Sequence, residues 1–144
     1  MKIAASTMYR SRWLMLSIIA YGVVVRAASY FYNRSLWLDE SMISVAMIEL
    51  EWGSLFGALK YGESAPIGFL VVSKIFIEIF GSSEYVLRLF PFAAGVTSIF
   101  IFYKLTTFTS SALVRPIALA LFCTSTGLIN YTNEVKQYSI DVLM

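Results

Sequence analysis

Two groups of ionisable side chains in this 144-residue sequence have the types and spacing for chemistry. The first is Asp39-Glu40, adjacent acids that follow Leu36-Trp37-Leu38. A carboxylate there can accept a proton from a hydroxyl or amine, or hold a divalent metal together with a phosphate. Neighbouring residues on a helix point in different directions, so one acid is expected to act and the other to support it. The plainer role is structural: Asp39 suits the N-cap of a helix running to about Leu50, with Glu40 matched to the helix dipole. The second group is Glu134, Lys136, Tyr138 and Asp141. Lys136 is a point charge on a flexible stem, suited to a phosphate oxygen. Its plain alternative is a wet loop with Tyr131 and Tyr138 at a membrane–water boundary. Arg26 and Arg88 either extend to solvent along apolar stems or help neutralise a phosphate. Glu63 is a third acid or a turn residue.

Several chemistries are excluded. The sequence contains no histidine, which removes Ser-His-Asp and Cys-His nucleophiles and histidine-based zinc sites. It has no glycine-rich phosphate loop. Its one cysteine, Cys123, lies in an apolar run, forms no intramolecular disulfide and reads as a small buried thiol. Catalysis is left to Asp, Glu, Lys, Arg, Tyr or a bound metal. A net charge of +2 gives no reason to expect a nucleic-acid partner. Asn33-Arg34-Ser35 and Asn130-Tyr131-Thr132 fit the glycosylation sequon but sit so close to apolar segments that both read as chance.

The elements that must position these residues are set by hydropathy. Hydrophobic residues make up 58% of the chain and charged ones 14%, with a mean hydropathy of +0.73; soluble domains carry about 25% charged residues. The expected fold is all-α and integral to the membrane: a polytopic bundle of three transmembrane helices and the start of a fourth, with juxtamembrane helices in the first outer loop. Spans are expected at 13–32, 85–104 and 113–130. A first outer loop covers 33–84, a cytoplasmic loop 105–112 and a second outer loop 131–138; the next span begins at 139–144. The helix from Asp39 is expected to bury Met42, Val45, Ala46 and Ile48 and to expose Glu49 and Glu51. Lys2, Arg10 and Arg12 precede the first span without an acid, which places the N-terminus in the cytoplasm. Tyr30, Phe31 and Tyr32 read as an interfacial belt. A cleaved signal peptide ending near Arg26-Ala27-Ala28-Ser29 is the alternative, made awkward by Arg26 and the bulky Tyr30–Tyr32.

Residues 66–80 are apolar but carry Lys74 and Glu78, and they are short for a crossing. They are expected to stay at the outer surface. The 104–115 loop then faces the cytoplasm, and the Asp39 and Lys136 groups share the outer side. The sequence stops six residues into a new apolar segment and is expected to be the N-terminal part of a longer protein.

The order of these features resembles the C-type membrane glycosyltransferases, which include protein O-mannosyltransferases and the aminoarabinose transferases that modify lipid A. The likeness rests on a basic N-terminus, a span ending near Arg26, and an outer loop bearing Leu36-Trp37-Leu38-Asp39-Glu40. A proline-led apolar helix follows, Ala65-Pro66-Ile67-Gly68-Phe69, closed by Ile79-Phe80-Gly81-Ser82-Ser83-Glu84-Tyr85-Val86-Leu87-Arg88-Leu89, similar to a family phrase lfGxsexxlRl. Tyr131-Thr132-Asn133-Glu134-Val135-Lys136-Gln137-Tyr138-Ser139-Ile140 is similar to a third phrase, YsqEaRxYal. The family's double proline is Ala65-Pro66 here, and its arginine in the third phrase is Lys136, which lacks the bidentate fork.

The resemblance implies a hexosyltransferase that takes its sugar from a polyprenyl- or dolichyl-phosphate carrier. The acceptor would be a glycan, lipid or protein at the outer or lumenal face, most naturally of a bacterial inner membrane. Asp39 would be the catalytic acid supported by Glu40. Lys136, Arg26, Arg88, Glu134, Tyr138 and Asp141 would surround the carrier phosphate. No cofactor is firmly implied, and a divalent metal is left open. Further spans would complete the carrier groove, so this part alone would be inactive. Two other functions are compatible with the same residues: a transporter or flippase with Arg26, Lys74 and Glu78 along a path, and a non-catalytic membrane assembly subunit.

Overall fold

The computed structural model describes residues 2–56 and 65–144; Glu63 lies outside them. Those residues are mostly helical, with no strand among them. Two long helices form the frame: α1, Lys2–Tyr32, and α4, Glu84–Thr109. Each contains a stretch long and apolar enough to cross a membrane, Arg12–Tyr32 and Glu84–Thr109. Only 28% and 39% of these stretches are buried, and side chains such as Val24, Phe31, Phe100 and Phe108 point outward. A core helix of a water-soluble domain would hide that face.

The two helices run antiparallel. Tyr30 near the end of α1 donates its hydroxyl to the Tyr85 carbonyl at the start of α4 (2.7 Å) and stacks on Phe92. The expected aromatic belt is therefore divided: Tyr30 is turned inward, whereas Phe31 and Tyr32 are exposed. Gly22 and Gly95 let neighbours approach. A Cβ on Gly22 would lie 2.7 Å from Cys123 Sγ, and one on Gly95 would overlap Thr132 Cγ2.

The segment expected to be a single span at 113–130 is two helices, α5, Val114–Thr124, and α6, Thr126–Tyr131, broken at Ser125. The run Thr124-Ser125-Thr126-Gly127 supplies the break, because serine, threonine and glycine compete poorly for helical backbone. The freed carbonyls of Phe122 and Cys123 accept from the Arg26 guanidinium at 3.5 and 3.4 Å. In the other direction, α4 continues to Thr109, several residues into the expected loop. Thr106, Thr107 and Thr109 bond back to helix carbonyls, which is how hydroxyl side chains are accommodated on a helix.

Two further helices follow: α3, Ile67–Phe80, packs beside α4, and α2, Leu38–Glu49, packs against α3. A short 3-10 turn, Trp52–Phe56, follows α2. The helix expected to start from an Asp39 N-cap starts instead after Trp37, with Asp39 and Glu40 in its first turn. Its buried stripe is Glu40, Ile43, Ser44, Ala46 and Met47, with Met42 and Val45 half-buried and Ile48 exposed. The rotation follows from Glu40, which is drawn inward by an arginine.

Lys74 and Glu78, four residues apart on α3, do not serve one another. Lys74 Nζ donates to the carbonyls of Met47 and Ile48 (2.9 and 3.3 Å), closing the C-terminal end of α2, where a cation is favoured. Glu78 accepts from Trp52 Nε1 at 2.7 Å. Gly81 ends α3 with φ of 89°, a backbone region suited to glycine, and Ser83 caps α4. A short final helix, α7, Tyr138–Leu143, packs along α4.

Candidate functional site

The site is built where two loop segments, the one after α1 and the one between α6 and α7, meet the first turn of α2 and the first two turns of α4. Asp39 and Glu40, adjacent in α2, grip Lys136 and Val135, adjacent in the turn between α6 and α7. Lys136 Nζ is hydrogen-bonded and ion-paired to Asp39 Oδ2. The Val135 N–H donates to Glu40 Oε1 at 3.0 Å. The two polar groups of the sequence, 97 positions apart, are thereby one cluster.

Glu40 is the hub. Its side chain is 2% exposed. Oε2 accepts from the Trp37 N–H at 2.9 Å, satisfying a free donor at the start of α2. Arg34 Nη2 lies 3.5 Å from Oε1 and Arg88 Nη2 lies 3.8 Å from Oε2. Arg88, 1% exposed, spends Nη1 on Asn33 Oδ1 (2.8 Å) and the Arg34 carbonyl (2.7 Å). It thus fixes the turn after α1, where Asn33 takes a left-handed φ of 47° that asparagine tolerates. Arg34 reaches on to Glu134 Oε1 at 3.4 Å. Three acids, Asp39, Glu40 and Glu134, thus interlock with three bases, Arg34, Arg88 and Lys136.

Above this network lies an open cleft of about 270 Å³ lined by Trp37, Asp39, Glu40, Glu134, Lys136 and Tyr138. Trp37 is 65% exposed, with the Arg34 guanidinium 5.6 Å from its ring centre. Tyr138 packs on Tyr131 at 4.8 Å, with the Lys136 ammonium 5.9 Å from its ring centre. The acids differ electrostatically. The hydrogen bond from Lys136 holds the Asp39 carboxyl below its usual range, against a smaller opposing effect of desolvation. Burial pushes Glu134 up, opposed by Arg34 and reinforced by Glu40. Asp39, its side chain 50% exposed, is therefore an ionised carboxylate facing the cleft, whereas Glu40 spends both oxygens inside the protein.

Six of the eight residues singled out from the sequence meet here: Asp39, Glu40, Arg88, Glu134, Lys136 and Tyr138. Arg26 does not. It is buried in the bundle on the carbonyls of Gly22, Phe122 and Cys123, so neither the surface nor a phosphate in the cleft is its partner. Asp141 is exposed on α7 and does not line the cleft. Among the described residues, no three His, Cys, Asp or Glu side chains are arranged to hold a metal ion; the oxygens of Glu40 are already committed. Arg34, Asn33 and Trp37 are the residues sequence reasoning left out of the site. The signal for Arg34 was present, a base five positions before an acid pair, but masked by its place in a sequon. Comparison of the chain with protein-family models, curated proteins and solved structures returned no match.

Proposed function

We propose that this chain is part of a multi-pass membrane glycosyltransferase that takes its sugar from a polyprenyl-phosphate carrier, with the Asp39–Lys136 cleft at the outer or lumenal face. The observation that carries the reading is one ionised acid and one flexible cation sharing an open, aromatic-walled cleft at the end of two apolar helices. In this reaction Asp39 takes the proton of an acceptor hydroxyl or amine as that atom bonds to the anomeric carbon. The bond from that carbon to the phosphate oxygen breaks, and the carrier leaves as a lipid phosphate held by Lys136. Glu40 and Arg88 position the pair without touching the reacting atoms, and Glu134 holds Arg34 by an ion pair.

The basic N-terminus supports a cytoplasmic start. At about 1.5 Å per residue, α3 is roughly 21 Å long, short of the roughly 30 Å hydrocarbon core. Both favour α2 and α3 resting at the surface opposite the N-terminus. The decisive experiment is Asp39→Asn in the full-length protein: glycosyl transfer from a polyprenyl-phosphate donor should fall at least about a hundredfold, the lower end of general-base contributions, with expression unchanged. Retained transfer removes Asp39 from the chemistry.

One observation favours a second reading. Asp39, Glu40 and Glu134 each have a basic partner, as expected of an assembly subunit whose acids only tie loops together. That reading requires tolerance of Asp39→Ala and no affinity for lipid phosphates.

A further inference from the structure

The Asp39–Lys136 pair joins the proposed base to the proposed phosphate ligand, so the two cannot act independently. We propose that the pair is a latch: a phosphate entering the cleft takes Lys136 from Asp39, and the same event leaves Asp39 as an unshared carboxylate. The use of the latch rests on the transferase reading, but its existence does not.

Three observations carry the inference. Asp39 and Lys136 line the same cleft and are bonded to each other across it. Among the described residues lining the cleft, Lys136 is the cation; Arg34 and Arg88 are not part of that lining and are engaged with Glu40, Glu134, Asn33 and the Arg34 carbonyl. Within the cleft, the cation available to an incoming anion is therefore Lys136. Glu40 cannot take the place of Asp39 on Lys136, because its oxygens hold the Trp37 and Val135 N–H groups. The pair is also suited to exchange. The Asp39 side chain is 50% exposed and that of Lys136 16%, so the pair is open to solvent on its Asp39 side, and water there weakens it against an incoming phosphate. Lysine keeps three donors on a rotatable stem and can swing between two anions without moving the backbone.

Binding is thereby ordered. Before phosphate arrives, Asp39 is neutralised by Lys136 and is a poor proton acceptor. Afterwards it is free beside the acceptor's path. The ligand chemistry is a phosphate, carried either on an isoprenoid lipid or free in solution; the exposed indole of Trp37 on the cleft wall offers apolar surface to the former.

The test is a binding cycle on the protein in phosphatidylcholine nanodiscs, with geranyl phosphate and inorganic phosphate titrated calorimetrically in separate arms. Asp39→Asn, which removes the ion-paired carboxylate from Lys136, should bind geranyl phosphate about fivefold tighter than wild type, the scale of one solvent-reached ion pair. Lys136→Gln should bind at least about tenfold weaker, as expected for loss of a charge-assisted contact. In the double variant the gain from Asp39→Asn should vanish, whereas on a Lys136→Arg background it should persist. Simple charge repulsion by Asp39 predicts instead that the gain survives without Lys136, and that result overturns the latch. So does equal or weaker binding by Asp39→Asn, or unchanged binding by Lys136→Gln. A complete cycle with geranyl phosphate alone identifies a lipid-linked ligand; one with both ligands identifies any phosphate, and either supports the latch. Absence of glycosyl transfer by the wild-type full-length protein, with the cycle intact, removes the transferase reading and leaves the latch standing.

Discussion

Arg88 and Glu40 face one another across 3.8 Å with side chains 1% and 2% exposed, joining the second turn of α4 to the first turn of α2. A buried pair of this kind contributes little net stability when complete, but removing one partner strands the other. Glu40→Ala would leave Arg88 uncompensated and the Trp37 and Val135 N–H groups without acceptors. The expected loss is about 3–5 kcal/mol, read as a lowered unfolding midpoint in detergent. Glu40→Gln, which keeps the shape and one acceptor oxygen, should lose less. Equal, small losses for both would show that the hub is not holding the cap together.

The two titrating acids of the cleft give stability opposite dependences on pH. Asp39 has a folded value below its unfolded one, so its pairing with Lys136 contributes above the ordinary aspartate range. That contribution is lost as pH falls through the folded value. Glu134 has a folded value raised by burial, so its contribution is complete below the ordinary glutamate range and is lost as pH rises through the folded value. Glu134→Gln should therefore flatten the decline seen on going from acid toward neutral pH. Unfolding midpoints across that interval check this; a variant curve parallel to wild type would contradict it.

Gly95 is the point where α4 and the Thr132 turn come closest. An added methyl would meet Thr132, with its Cβ 3.1 Å away. Gly95→Ala should cost about 1–3 kcal/mol, as overpacking does, and should displace the turn that carries Val135 and Lys136. Gly68→Ala, with nothing near its Cβ position, is the control, expected to be neutral or stabilising by no more than about 1 kcal/mol.

The proposed sidedness predicts labelling. Ser82 and Ser111 are exposed and lie at opposite ends of α4. In a Cys123→Ser background, Ser82→Cys should react with a membrane-impermeant maleimide from outside intact cells and Ser111→Cys only after lysis. The reverse pattern would put α3 across the membrane and favour the transporter.

Much of the fold was legible because it depends on local pattern. The long apolar runs ending at Tyr32 and opening at Glu84 are helices, and the short apolar run led by Pro66 is a separate helix ended by Gly81. What escaped was decided by distant partners. Asp39 looked like a cap because acids often are, but Glu40 receives the Trp37 N–H, and Arg88 pairs with that buried carboxylate. Arg26 looked like a snorkelling or phosphate-binding residue; its partners are carbonyls about 97 positions away, freed by a helix break that hydropathy passes over. In the cleft, residue types identified Asp39 and Lys136, but nothing local announces that their neighbours Glu40 and Val135 are bonded in the same step.

The joining of Glu40 to Val135 also sets a clock during synthesis. Ribosomes add about 5–20 residues per second, so the 95 positions between these partners correspond to roughly 5–19 s of translation. Throughout that interval the first acid pair has emerged and its late partners have not. The nascent chain therefore carries an unfinished polar knot throughout, and the arrival of the 132–136 turn, rather than the first helices, marks when this cluster closes.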